Sequence, residues 1–265
     1  MIAAQLSSIY RFRGFIFGSV RREFASRYRN SMLGATWLVL QPLAQILVFT
    51  LVFSQVMRAR LPGVDSSFSY SIFLCAGLLT WGLFADIVSR SQNMFLDNAN
   101  LLKKLSFPRI CLPIIVILNA CLGFAIIFGL FAGFLLISGN FPGWVFLAIM
   151  PVLLLQILLA IGLGMVIGVL NVFFRDVGQL FGIVLQFWFW LTPIIYPLTT
   201  LPDWAQRIVM LNPMTSLTLA YQGILVQGVL PLWASLWPTV ALACVLCFLG
   251  MRLFQKRAGE MVDEL

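Results

Sequence analysis

Residues 144–173 read WVFLAIMPVLLLQILLAIGLGMVIGVLNVF, thirty positions without a charged side chain. Hydrocarbon about 30 Å thick takes roughly 20 apolar helical residues to cross, so a run of this length reads as a membrane span. Working outward, five further runs qualify, at 34–57, 68–88, 110–137, 177–198 and 232–254, with charges only near one end of two of them, at Asp86 and Arg252. Composition agrees: 61% of the 265 residues are apolar and 10% charged, with a mean hydropathy of +1.00, whereas soluble domains carry about 25% charged residues. The expected fold is all-α and polytopic, with six transmembrane helices in one membrane domain over 34–265, preceded by a segment at 1–33.

Cationic loops resist translocation, which sets the orientation. With the N-terminus inside, fourteen of the seventeen lysines and arginines fall in cytoplasmic segments, and only Arg58, Arg60 and Arg207 fall outside. Both termini are therefore expected to be cytoplasmic. The net charge of +8 reads as topology and contact with lipid headgroups rather than with nucleic acid.

Residues 1–33 show no cleavable signal pattern, being interrupted by arginines at short intervals. At helical spacing Ile9, Phe12, Ile16, Val20 and Phe24 share a face opposite Arg11, Arg22 and Arg29, as in a helix lying in the membrane interface. Arg13, Glu23 and Arg27 intrude on the apolar side, so either the helix bends or that side meets protein.

The chain has no histidine and nine carboxylates. Histidine-based triads, metal sites and proton relays are thereby excluded, and no catalytic or metal-ligating set is expected. Asp86 lies four residues before Arg90, where an ion pair along one helix explains it. Cys244 and Cys247 have CxxC spacing without a second pair or a thioredoxin-like setting, so all five cysteines read as packing residues and no structural disulfide is expected. None of the three lysines follows a GxxxxGK[ST] pattern, so if transport is ATP-driven, ATP and Mg belong to another chain.

Three stretches remain. In DNANLLKKLSFPRICLP (97–113), Asp97 or Asn98 can cap a short helix whose apolar face is Leu101, Leu102 and Leu105, stopped by Pro108; it suits docking, or a connector on the membrane. The apolar segment 199–230 is broken at Pro202 and at Asn212-Pro213 into pieces too short to cross. Re-entrant helices capped by Asp203 and Thr215 are expected, with a surface-lying loop as the other solution. FWFWLTPIIYP (187–197) places five aromatic rings and two prolines in the fifth run. Rings here can turn toward an inner surface or form an interfacial belt; Pro193 and Pro197 bend and end the span.

Five motifs in order, RYRNSMLGATWLVLQP (27–42), NANLLKKLSFPRICLP (98–113), VFFRDVGQL (172–180), LTPIIYP (191–197) and LNPMTSLTLAYQGIL (211–225), resemble those of the type-2 ABC exporter permeases, in their polysaccharide-exporting branch. The resemblance implies a multi-pass permease of the bacterial inner membrane that dimerises and pairs with two separate ATPase subunits. Its cargo would be a polysaccharide on a polyprenyl pyrophosphate, of O-antigen type. Capsular polysaccharide, teichoic acid, or a small hydrophobic drug or lipid are the alternatives. An ATP-independent channel and a membrane glycan-modifying enzyme are the readings from other classes.

By the same resemblance, 97–106 is a coupling helix, with Asn100, Leu101, Leu102, Lys103 and Lys104 contacting the ATPase, and the N-terminal segment is an interface helix. Trp37, Trp188, Trp190 and Tyr196 are the channel candidates. Arg175 and Asp176 stand at the cytoplasmic mouth, either holding a turn or contacting a pyrophosphate or the ATPase. Pro202, Asp203, Asn212 and Pro213 belong to the outer gate.

Overall fold

A computed structural model of the chain describes residues 10–28, 36–49, 51–52, 68–104, 110–257 and 259–264. Among them every regular element is helical. The chain runs through α1 (Arg13–Tyr28), α2 (Trp37–Phe49), α3 (Ser69–Asp97), α4 (Ala99–Lys104) and α5 (Cys111–Ile137). A 3-10 turn (Gly143–Ala148) leads into α6 (Ile149–Phe173), followed by α7 (Asp176–Trp190) and α8 (Asp203–Met210). Then come α9 (Pro213–Gln222) with a π turn (Gly223–Gln227), α10 (Trp233–Arg257) and α11 (Glu260–Glu264).

Four of these helices are long and apolar enough to cross a membrane: α3, α5, α6 with its 3-10 lead-in, and α10. They correspond to the runs at 68–88, 110–137, 144–173 and 232–254. The first expected span is described over Trp37–Phe49 and 51–52 alone. Helix α3 continues to Asp97, well past the apolar run, because SRSQNMFLD contains neither Gly nor Pro to stop it.

The fifth run departs from expectation. Helix α7 has 15 residues, about 22 Å at 1.5 Å per residue, and stops at Trp190 rather than near 198. Pro193 has no N–H to donate and disfavours helix in the residue before it, so 191–197 leave the helix. Non-helical backbone in such a setting must find its partners within the protein. Tyr70 Oη donates to the Ile195 carbonyl at 2.7 Å and Gln222 Nε2 to that of Pro193 at 3.1 Å. Ile194 is fully buried, in a place open only because Gly77 faces it: a Cβ there would meet Ile194 Cα at 3.2 Å.

The core lies where α3, α6 and α10 meet. A Cβ added to Gly162 would come within 2.8 Å of the Cys247 amide nitrogen, and one on Gly168 within 2.5 Å of the Ser91 carbonyl oxygen. Small residues at these crossings let backbones approach, which is how helices associate where lipid supplies no hydrophobic drive. Cys247 occupies such a crossing, its thiol donating to the Leu158 carbonyl at 3.2 Å.

Helices α3, α6 and α10 run in one direction and α5 and α7 in the other. The C-terminal ends of the first three converge: Asn171 of α6 donates to the Gln92 carbonyl of α3 at 2.9 Å, and Phe95 of α3 stacks on Phe254 of α10 at 5.4 Å. This end also carries α1, α4 and α11 and is called the termini end. The α8–α9 hairpin lies at the opposite end.

Candidate functional site

At the termini end α1 does not lie free. Ile16 and Val20 are buried against Cys111 and Ile115 of α5, with Phe12 and Phe15 beside them. Of the charges that break its apolar side, Glu23 points at protein. One of its oxygens accepts from Arg90 Nη1 at 2.7 Å and the other from Asn119 Nδ2 at 2.5 Å, while Arg90 Nε donates to Asp86 Oδ1 at 2.7 Å. The Asp86–Arg90 pair expected from sequence is thus half of a larger arrangement that ties α1 to α3 and α5. Arg27 has no described side chain, and Arg13 turns outward over the Tyr10 ring, 4.5 Å from its centroid.

Helix α4 follows α3 almost without a break. The Asn98 carbonyl accepts the Leu101 and Leu102 amides at 3.0 Å each, while its side chain donates back to the Met94 carbonyl at 2.8 Å; Asn98 therefore closes α3 rather than capping α4 through its side chain. Leu105 and Pro108 lie outside the described residues. Leu102 is buried in the main core. The side chain packs against the bundle and holds α4 to it. Asn100 and Lys103 are exposed and Leu101 half-buried, and the Lys104 side chain is outside the described residues.

This geometry separates two substitutions. Leu102→Asp is expected to destabilise the protein itself by roughly 3 kcal/mol, since an unpaired charge replaces a buried methyl cluster. Lys103→Glu is expected to leave stability unchanged and alter only contacts made by the exposed face. Thermal unfolding of the detergent-purified variants checks both.

Arg175 and Asp176 open α7 and are exposed, with Asp176 in the first turn, where the helix dipole favours a carboxylate. The turn that presents them is held from behind by Asn171, which sequence reasoning did not single out. Its Oδ1 accepts the Gly178 amide at 2.9 Å while its Nδ2 donates to α3. A side-chain amide in a run as apolar as 144–173, which holds one other at Gln156, was the available signal.

At the opposite end the aromatic stretch divides as helical rotation requires. Trp188 and Phe189 turn inward: Trp188 packs edge-on against Phe84 at 5.3 Å and Phe189 against Trp81 at 5.7 Å. Phe187 and Trp190 turn outward, 67% and 61% exposed. Tyr196 is half-buried, its hydroxyl donating to the Trp190 carbonyl at 2.9 Å, and Trp37 is 44% exposed. Trp188 is thus committed to packing, and of the four channel candidates Trp190 and Trp37 are the open ones.

The indole N–H of Trp188 donates to Asn212 Oδ1 at 2.7 Å, which also accepts the Met214 amide at 2.9 Å. Asn212 Nδ2 in turn donates to Thr192 Oγ1 at 2.9 Å. One asparagine therefore joins the end of α7, the irregular segment and the start of α9. It is the N-cap of α9, with Pro213 in the first turn, a place proline suits. This corrects the expected cap: Thr215 lies inside the helix, its hydroxyl donating to the Val209 carbonyl at 2.7 Å. Pro202 occupies the N-cap position of α8 and Asp203 its first turn, both exposed. Between α7 and the hairpin runs an apolar cleft of about 440 Å³, lined by Val184, Phe187 and Ile208 among others.

Comparison with known proteins bears on these two ends. The chain is 32% identical over 97% of its length, and 97% of the other's, to an O-antigen export system permease protein, RfbA, of Myxococcus xanthus. An RfbA of Klebsiella pneumoniae is 27% identical over 92% of each chain. The polysialic acid transport protein KpsM of Escherichia coli is 24% identical over 92% of this chain and 93% of its own. The family model of the ABC-2 type transporter matches residues 15–226, a span that runs from α1 to the last turn of the α8–α9 hairpin, and the chain is accordingly a membrane protein of the ABC-2 type transporter family.

Proposed function

We propose that this chain is the permease subunit of an ATP-driven exporter that carries a lipid-linked polysaccharide of O-antigen type across the bacterial inner membrane. The observation that carries the reading is the similarity to an O-antigen export permease along 97% of both chains. It covers the spans and both ends of the bundle, not one shared motif. The chain itself performs no catalysis in this reading. Two copies form the channel and two copies of a separate ATPase bind ATP and Mg.

The termini end faces the cytoplasm, in keeping with the lysine and arginine distribution. There α4 offers Asn100 and Lys103, and α1 offers Arg22, to the ATPase. The α8–α9 hairpin forms the outer gate, set into the membrane from the far side. Similarity to the polysialic acid transport protein KpsM makes a polysaccharide other than O-antigen, such as capsule, the second reading.

The test is restoration of surface polysaccharide in cells lacking their own permease, together with co-purification of the ATPase encoded beside it. Trp190 supplies a sharper arm. If its exposed ring guides sugar, Trp190→Leu keeps bulk but loses the flat face and the polar edge, and long-chain export falls about tenfold, while Phe at 190 retains more. Wild-type export from Trp190→Leu at matched abundance would return the ring to a lipid-facing belt. A wild-type chain that restores capsule and no O-antigen selects the second reading.

A further inference from the structure

We infer that Glu23 is a positioning residue that makes α1 move as one body with the bases of α3 and α5, so that a push on α1 reaches the spans. The inference rests on the reading of the chain as an ATP-driven permease. Ile16 and Val20 join α1 to α5 by apolar contact, and apolar faces slide past one another at little cost. A directional link is needed to transmit force along the bundle axis, and Glu23 provides it. Its two carboxylate oxygens are divided between helices: Arg90 of α3 on one and Asn119 of α5 on the other.

The donor side of this link is built. Asn119 is 6% exposed, and the Arg90 side chain is 18% exposed with its Nε held by Asp86. The guanidinium is thereby oriented before Glu23 arrives, as charge-assisted pairs require for a fixed geometry. Beside the link lies a cleft of about 530 Å³ between α1, the end of α3, α4 and the start of α5, lined by Arg22, Asp97, Asn98, Leu101 and Leu112. Over this stretch open space, not packed side chains, separates α1 from α4. Motion of α1 therefore passes to the spans through the Glu23 junction rather than through α4.

The experiment compares wild type, Glu23→Ala, Glu23→Gln and Asn119→Ala, each co-expressed with the ATPase at matched permease levels. It measures complex recovery, ATP hydrolysis in the purified complex and surface polysaccharide. Glu23→Ala is expected to keep the complex and its hydrolysis within about twofold of wild type while export falls about tenfold, the loss of one charge-assisted link. Glu23→Gln still accepts from Asn119 but lacks the charge, and is expected to fall between; Asn119→Ala likewise. Unchanged export from Glu23→Ala overturns the inference. So does a parallel fall in complex recovery and export, which would make Glu23 a docking or folding residue. A wild-type preparation with no ATPase partner overturns the transport reading itself, and the two failures are thus told apart.

Discussion

Gly168→Ala is expected to remove most of the folded protein, and a second change that rescues its neighbour is expected not to rescue it. A Cβ at 168 would sit 2.5 Å from the Ser91 carbonyl oxygen, whereas one at Gly164 would sit 2.4 Å from Ser91 Cβ. Both lie on the α6 face against α3, and both close contacts demand that something move. Helix α3 is also held by buried Phe84 and Ile87, so its backbone has nowhere to retreat. Overpacking of this kind costs about 3 kcal/mol, and in a membrane the helices lose the close approach on which their association depends.

Ser91→Gly removes the atom that a residue 164 methyl would strike but leaves the carbonyl that a residue 168 methyl strikes. The double variant Gly164→Ala with Ser91→Gly should therefore recover, and Gly168→Ala with Ser91→Gly should not. Gly182→Ala on α7 is the control: nothing lies within 4 Å of its Cβ position, and alanine there favours helix by up to about 1 kcal/mol. The readout is the monodisperse fraction and thermal midpoint of detergent-solubilised protein. Equal rescue of both variants by Ser91→Gly would show that α3 shifts as a unit and that the Ser91 backbone is not the barrier.

The spans that could be read from sequence are those whose lipid-scale apolar runs and helical ends nearly coincide, as at 110–137 and 232–254. Hydropathy measures what the solvent will accept, not where a helix stops. That is why α3 runs on to Asp97 through polar residues and why α7 ends short of its apolar run. Pro193 signalled the second break, but what makes the break tolerable, Tyr70 and Gln222 on the carbonyls that leave the helix, comes from positions far along the chain.

Much of the termini end was similarly half visible. Glu23 stood out as a charge on an apolar face, and the helical spacing of Asp86 and Arg90 announced their pair, yet nothing local joins residue 23 to residue 90. Leu102 was legible as apolar but its facing was not, since a six-residue helix has too few turns to reveal which side meets the bundle. The cap at Asn212 was within reach, because an Asn-Pro pair places the asparagine at the N-cap and the proline in the first turn. Thr215, two residues past the proline, falls inside the first turn instead.

Asn212→Ala is expected to lower stability by about 3 kcal/mol and to abolish export, which follows from how many groups one amide serves. Loss of the N-cap costs about 1 kcal/mol, and the orphaned Trp188 indole N–H together with the donors lost to Thr192 Oγ1 and the Leu191 carbonyl adds roughly 2 more where water is scarce, although the Thr192 hydroxyl keeps its own bond to the Trp188 carbonyl. Asn212→Asp should be milder: it keeps the acceptor for Trp188 and for the Met214 amide and places a negative charge at a helix N-terminus, losing the donors toward Thr192 Oγ1 and the Leu191 carbonyl. Trp188→Phe keeps one ring against Phe84 but loses the indole donor and the rest of the bicycle, so about 2 kcal/mol is expected. If these groups act as one junction, the double variant Trp188→Phe with Asn212→Ala should cost less than the two losses summed, because the hydrogen bond lost in the second change is already gone. Thermal unfolding of the four purified proteins gives the energies, and surface polysaccharide at matched abundance gives the export. Additive losses would mean that the tryptophan and the asparagine stabilise the hairpin independently. Normal export from a destabilised Asn212→Ala would show that the α8–α9 hairpin need not be tied to α7 for transport, leaving the junction a matter of folding alone.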